Sequence, residues 1–167
     1  ARASSRSRPS SAAATTARLY HRTDTHWNDL GAALAYRQIV AAVHAQRPAV
    51  PAAWPEATFR IDTRTVPGMD LVEMAGLTAY VRETDVALVP LRPRQARVVA
   101  PAHPHPLFIG PRLVTEHADR TLPRALVYRD SFGSALVPFL AEHFSRAVVL
   151  WEYDVTPATV REERPDV

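Results

Sequence analysis

Residues 125 to 151 constrain this chain most, because they hold one unit in which strand, helix and strand can each be read from the residue pattern. Ala125 to Tyr128 is a short apolar run, Phe132 to Phe144 carries a helical stripe, and Ala147 to Trp151 is apolar again. The stripe is Phe132, Ala135, Leu136, Phe139, Leu140 and Phe144, whose spacings of three, one, three, one and four residues follow the helical period. Two apolar strands joined by a helix of this kind make a β-α-β unit, which needs a sheet to pack against. Pro138 is the misfit in the stripe. Well inside a regular helix it costs a backbone hydrogen bond, so the pattern predicts either a kink or a first turn that is offset.

At 167 residues the chain is one domain's worth, enough to bury roughly 70% of its unfolded surface. It has no cysteine, which excludes disulfides, zinc-thiolate sites and a cysteine nucleophile. All 20 basic residues are arginine, so lysine Schiff-base and P-loop chemistry are excluded too. The net charge of +3 belongs to the start of the chain, where Arg2, Arg6, Arg8 and Arg18 stand without an acid. The remainder is close to neutral and has no basic stripe, which argues against a nucleic-acid partner. No apolar run approaches the roughly 18 residues of a membrane span, and no secretory signal is visible.

Residues 1–18 are almost wholly Ala, Ser, Arg, Thr and Pro and read as a disordered, low-complexity lead. Residues 19–167 read as one domain. Leu19 to Thr23 is an extended lead-in, and Asn28 is placed to cap a helix that runs to about Gln46 and stops before Pro48. Its expected core face is Ala32, Tyr36, Ile39, Val40 and Val43. Fifteen prolines break the middle of the chain into short pieces. Phe59, Ile61 and Thr63 alternate with Arg60 and Asp62 as in a half-buried strand, Met69 to Leu77 allows a short helix, and Val86 to Val89 and Arg97 to Ala100 read as strands. His103-Pro104-His105-Pro106 reads as a stiff loop leading to Leu107 to Ile109. Its histidines lack a third ligand nearby, so no metal site is expected.

Two segments carry chemistry. Asp24 and His26 precede the first helix, and Ser131 sits where the strand ending at Tyr128 turns into the next helix, a position at which α/β sheets hold ligands and nucleophiles. Asp24 can accept from one ring nitrogen of His26 and leave the other as a base, provided the chain is extended at residues 24 to 26. The plainer reading of each segment is capping: Asp130 or Ser131 for the second helix, Asp24 as a cap or solvated acid. His117, Glu142 and His143 read as solvated surface, and Glu152, Tyr153 and Asp154 as a polar turn that can rim a site.

Tyr20 to Ala35, YHRTDTHWNDLGAALA, resembles the Asp-x-His-Trp signature of the alginate O-acetyltransferase family, SGNH-hydrolase-like proteins that acetylate bacterial exopolysaccharides. Tyr128 to Arg146, YRDSFGSALVPFLAEHFSR, resembles that family's nucleophile segment, and Pro165-Asp166-Val167 the start of its next strand. The order agrees as well, since ordinary SGNH esterases place serine before the Asp-x-x-His block.

The resemblance implies an α/β three-layer fold with a mainly parallel sheet, incomplete at both ends of this chain. It implies Ser131 as nucleophile, His26 as general base and acid, and Asp24 as the group that orients His26. Ser131 and Gly133 N–H would form the oxyanion site, because Asn28 is the only asparagine and adjoins the Asp-x-His block. Arg129 stands where SGNH esterases have glycine and would contact substrate; Trp27 would stack on a sugar. No cofactor is implied. The expected partners are a polysaccharide acceptor and a membrane-bound O-acyltransferase that supplies acetyl groups, outside the cytoplasm. A carbohydrate esterase of the same fold and a non-catalytic binding or assembly subunit are the alternatives.

Overall fold

The computed structural model describes residues 17–100 and 112–167. Most of the predicted disordered lead and all of the His103-His105 loop, with Leu107 to Ile109, lie outside them.

Helix α1 (Asp29–Gln46) begins where Asn28 caps it, the side-chain oxygen accepting from Leu30 and Gly31 N–H. Pro48 stops its continuation, and Arg47 closes the last turn on the Val43 carbonyl. Gly31, Ala32, Ala33, Tyr36 and Val40 face the core. Ile39, expected on that face, is 40% exposed. The buried stripe runs through Ala32, Ala33, Tyr36 and Val40, and Ile39 lies at its edge, where it borders a cavity.

Next come β1 (Phe59–Pro67), the short α2 (Asp70–Met74) and β2 (Arg82–Pro90). The two strands form an antiparallel hairpin from Phe59 opposite Pro90 to Pro67 opposite Arg82. Its Phe59 end packs on Trp54 and Phe139, with ring centroids 5.8 and 5.6 Å away. Ile61, two residues on, is exposed. The alternation expected of a half-buried strand is therefore lost along β1, because the hairpin leaves the core after its first residues.

The main sheet contains β3 (Ala96–Ala100), β4 (Arg112–His117), β5 (Arg124–Tyr128) and β6 (Arg146–Leu150) in the order β3-β4-β6-β5. Only β5 and β6 are parallel; β4 runs antiparallel to both β3 and β6. The sheet is thus mixed, not mainly parallel. The β-α-β crossover enforces one parallel pair, whereas nothing in the local pattern dictates the sense of β3 and β4. Strand β4 was not visible in the sequence, since its buried Leu113 and Val114 are set among Arg112, Thr115, Glu116 and His117.

One sheet face packs on α1 and on the segment after β5: Ala125 and Ala147 join Ala32, Tyr36, Val40, Leu136, Phe139 and Phe144 in one core. Val114, Val148 and Leu150 point to the opposite face. The segment after β5 is not one regular helix. Residues Phe132–Leu136 form a 3-10 turn, α3 spans Val137–Leu140, and a second 3-10 turn covers Ala141–His143. Pro138 then falls in the first turn of α3, where its missing N–H is not needed, so the offset alternative holds. The unpredicted α4 (Pro157–Glu163) is tied to the sheet through Glu163, which pairs with Arg112 and Arg146. Beyond it, Asp166 and Val167 hydrogen-bond to β5 at Arg124 and Leu126, though residues 165–167, expected to begin a strand, form none.

Contrary to expectation, Glu142 and His143 are buried, at 5% and 0% exposure. Glu142 accepts from Gln95 and Ala96 N–H and so anchors the start of β3, with His117 3.9 Å away. Tyr36 Oη accepts from Trp54 N–H and donates to His143 Nε2 at 2.7 Å, while His143 Nδ1 donates to the Pro51 carbonyl. These polar side chains are buried because each supplies what a neighbouring chain segment lacks.

Candidate active site

Asp24 and His26 sit in a bend, not in extended chain. Tyr20 and Trp27 form an antiparallel bridge that closes the loop between them. Inside it Asp24 Oδ1 accepts both the backbone N–H of His26, at 2.8 Å, and its ring Nδ1–H, at 2.6 Å. The first bond makes an Asx turn, which brings carboxylate and imidazole together without the extended backbone assumed from sequence. The ring contacts fall on Nδ1, with Thr25 Oγ1 at 3.3 Å, and Nε2 is unengaged among the described residues. Tautomer and orientation suit a base that works through Nε2.

Asp70, at the head of α2, escaped the sequence reading. Its carboxylate accepts from Thr25 N–H at 3.1 Å and Thr25 Oγ1 at 2.7 Å. Desolvation pushes its pKa upward, but the Thr25 hydrogen bonds and the nearby His26 outweigh this and hold the carboxyl below its usual range. The ligand atoms of Asp24, His26 and Asp70 lie within 4.8 Å of one another, a spacing that a cation could bridge. Asp24 is already committed to His26 and Asp70 to Thr25, so the cluster is internally satisfied.

Ser131 follows β5 through Arg129 and Asp130. The capping alternatives separate here: Asp130 Oδ1 accepts from Gly133 N–H at 3.1 Å, whereas the Ser131 side chain makes no capping bond. Gly133 N–H is thereby engaged, while Ser131 N–H has no acceptor among the described residues. No hydrogen bond joins Ser131 Oγ to His26 among the described residues; catalytic bonds of this type commonly tighten only around substrate. The two segments meet through the next side chain. The ring of Phe132 lies 4.8 Å from that of His26 and 5.3 Å, edge to face, from that of Trp27.

Arg129 is buried at 6% exposure. Its Nη1 donates to Ser134 Oγ at 2.8 Å and to the Asp130 carbonyl at 3.2 Å, and the guanidinium lies 4.4 Å from the centre of the Trp151 ring. Burial lowers its pKa from the ordinary value, against the pull of Asp130. A Cβ on Gly133 would stand 2.5 Å from Arg129 Cβ, so glycine is required for this close approach. Asn28 is spent on its helix cap and on a bond from Nδ2 to the Arg18 carbonyl. Trp27 packs on Phe132 and also borders a cavity of about 700 Å³ that Tyr128, Arg129, Phe132, Glu152 and Tyr153 help to line. Glu152 and Tyr153 thus rim this cavity. Ser131 and His26 do not line it; Phe132 touches both the cavity and His26.

Residues 5–152 match the model of a family described as SGNH hydrolase-like domain, acetyltransferase AlgX. Among solved structures, a DHHW family protein from Eubacterium siraeum superposes with a TM-score of 0.65 at 20% identity, over 92% of this chain and 58% of that one. PatB1 of Bacillus cereus, solved with a sulfonyl adduct, superposes with a TM-score of 0.64 at 19% identity, over 89% of this chain and 57% of that one. These likenesses show a shared fold, and the chain spans less than two thirds of the length of either structure. Among curated proteins none matches.

Proposed function

This chain belongs to the SGNH hydrolase-like acetyltransferase AlgX family, and from that membership we propose that it passes an acetyl group through Ser131 to a hydroxyl of an exopolysaccharide or cell-wall glycan. The observation that carries this reading is the Asp24–His26 pair, held at 2.6 Å on Nδ1 while the His26 ring packs on the side chain that follows Ser131.

In the proposed cycle His26 Nε2 removes the Ser131 proton as Oγ attacks the acetyl carbonyl, and the same proton passes to the leaving group as the acetyl-serine forms. A sugar hydroxyl then gives its proton to His26 and attacks the acetyl carbon, and as the bond to Ser131 Oγ breaks His26 passes that proton to Oγ, which restores the serine and frees the acetylated glycan. Asp24 keeps the ring in the required tautomer and stabilises its protonated form. In this cycle Ser131 N–H donates to the oxyanion. Arg129, tied to Ser134 and Asp130, keeps the turn in shape from below. We take the acetyl supplier to be a membrane-bound O-acyltransferase and the setting to be extracytoplasmic.

The test is intact-mass spectrometry after incubation with p-nitrophenyl acetate, followed by addition of oligosaccharide. Gain of one acetyl group on Ser131, absent in Ser131→Ala, with later appearance of acetylated sugar, is the expected result. Acetate release unaffected by sugar would instead identify an esterase. An undiminished rate in Ser131→Ala would end the catalytic reading.

A further inference from the structure

Glu83 belongs to no sequence motif, lies far along the chain from the Asp-x-His block, and is nevertheless built into it. It is the second residue of β2 and is 2% exposed. Its Oε2 accepts three hydrogen bonds, from Arg22 N–H at 2.7 Å, Thr23 N–H at 2.9 Å and Thr23 Oγ1 at 2.9 Å. Its Oε1 accepts from Thr84 N–H at 2.9 Å and pairs with Arg18 at 3.8 Å. A buried carboxylate is costly unless its lone pairs are filled. Here most of the donors that fill them come from the two residues directly before Asp24. Burial alone would raise the Glu83 pKa, but these donors outweigh it and keep the carboxyl ionised below its usual range.

Thr23 extends the clamp. Its Oγ1 accepts from Met69 N–H at 3.2 Å and its carbonyl from Leu71 N–H at 3.1 Å. The backbone before Asp24 is therefore pinned both to β2 and to the head of α2. The Asx turn that brings Asp24 to His26 starts from this pinned point. Catalytic geometry is sensitive to such support, since a misplacement of about 1 Å can cost about 10²-fold in rate.

We propose that Glu83 is a positioning residue for the Asp24–His26 pair: by holding Arg22 and Thr23 it aims the pair at the turn that carries Ser131. The proposal rests on His26 serving as the base, as set out above. It assigns Glu83 no contact with substrate or reacting atoms.

The experiment compares Glu83→Ala, Glu83→Gln, Thr23→Val and His26→Ala in the full chain. Two readouts are taken: kcat and KM for acetyl release from p-nitrophenyl acetate, and the low-field proton resonance of the His26 Nδ1–H bond to Asp24. Glu83→Ala should lower kcat by about 10²-fold with little change in KM and abolish the resonance, while the methyl spectrum stays dispersed. Glu83→Gln keeps one oxygen for the loop donors and should recover most of both signals. Thr23→Val should shift both in the same direction as Glu83→Ala, by less.

A folded Glu83→Ala chain with wild-type kcat and an intact resonance overturns the proposal. So does a variant whose kcat and KM both worsen while the resonance persists, because that is general loosening. If Glu83→Ala does not fold, wild-type kcat and resonance in both Glu83→Gln and Thr23→Val overturn it equally. An undiminished kcat in His26→Ala removes the base reading on its own, and the resonance in the Glu83 variants still decides whether Glu83 sets the geometry.

Discussion

His26 and Phe132 lie ring against ring, with centroids 4.8 Å apart and planes inclined at 48°. The next residue of the first segment, Trp27, meets the same Phe132 ring edge-on at 5.3 Å. Consecutive side chains of the Asp-x-His block therefore grip the residue that directly follows Ser131. The contact is an aromatic one, strong enough to set a separation and insensitive to protonation of the serine hydroxyl.

Phe132→Ala should loosen that separation. Because Phe132 is only half-buried, the expected loss of stability is about 1–3 kcal/mol, below the range for a fully buried phenylalanine. Acetyl transfer should fall by about 10²-fold, and Phe132→Leu should recover the stability better than the rate. Urea unfolding and single-turnover acetylation of the two variants check this.

Asp24→Asn tests the charge on the pair. Asparagine also forms Asx turns, so the fold and its unfolding midpoint should hardly change. A neutral amide stabilises a protonated imidazole poorly and can turn its NH2 toward Nδ1, so kcat should fall by about 10³–10⁴-fold. Steady-state kinetics beside a thermal melt separate the two effects.

Gly133→Ala tests the turn below Ser131. The new methyl would stand 2.5 Å from Arg129 Cβ and 3.3 Å from its Cγ and Cδ, atoms near the backbone that cannot swing away. The turn must open, at about 1–3 kcal/mol. Both the unfolding free energy and the rate of Ser131 acetylation should decline.

His143 should make the fold acid-sensitive. Burial lowers its pKa from the ordinary 6.5, against the Pro51 carbonyl and Glu142, which act the other way. Above pH 6.5 the ring is neutral in both folded and unfolded chains and has no effect. As pH falls below that value the unfolded chain takes up a proton that the folded one resists, and stability drops by up to about 1.4 kcal/mol per pH unit. His143→Gln can accept from Tyr36 and donate to Pro51, and its urea unfolding should be flatter between pH 7 and 5.5.

The legible parts of the molecule share one property. Helix α1 with its Asn28 cap, the β5-to-β6 crossover and the serine at its turn are all encoded within short windows. Asp24 and His26 are two residues apart, and an Asx turn joins them locally. By contrast β4 was hidden because Leu113 and Val114 are flanked by polar residues whose burial depends on partners elsewhere. Glu116, for instance, pairs with Arg146 of β6 at 3.5 Å. His143 and Glu142 looked like surface for the same reason, since their acceptors and donors, near Pro51 and Gln95, are remote in the chain.

The sequence alone determined helix α1 with its Asn28 cap and the crossover from β5 to β6, because caps and crossover helices depend on near neighbours. Only the tertiary structure decided the mixed sense of the sheet, the commitment of Gly133 N–H and Asn28 to capping, and the meeting of His26 with Phe132. It also decided that Glu83, Thr23 and Asp70 surround the Asp24–His26 pair. The physical reason is that a buried polar group must find its partner wherever the fold supplies one, and that partner has no fixed spacing in the chain.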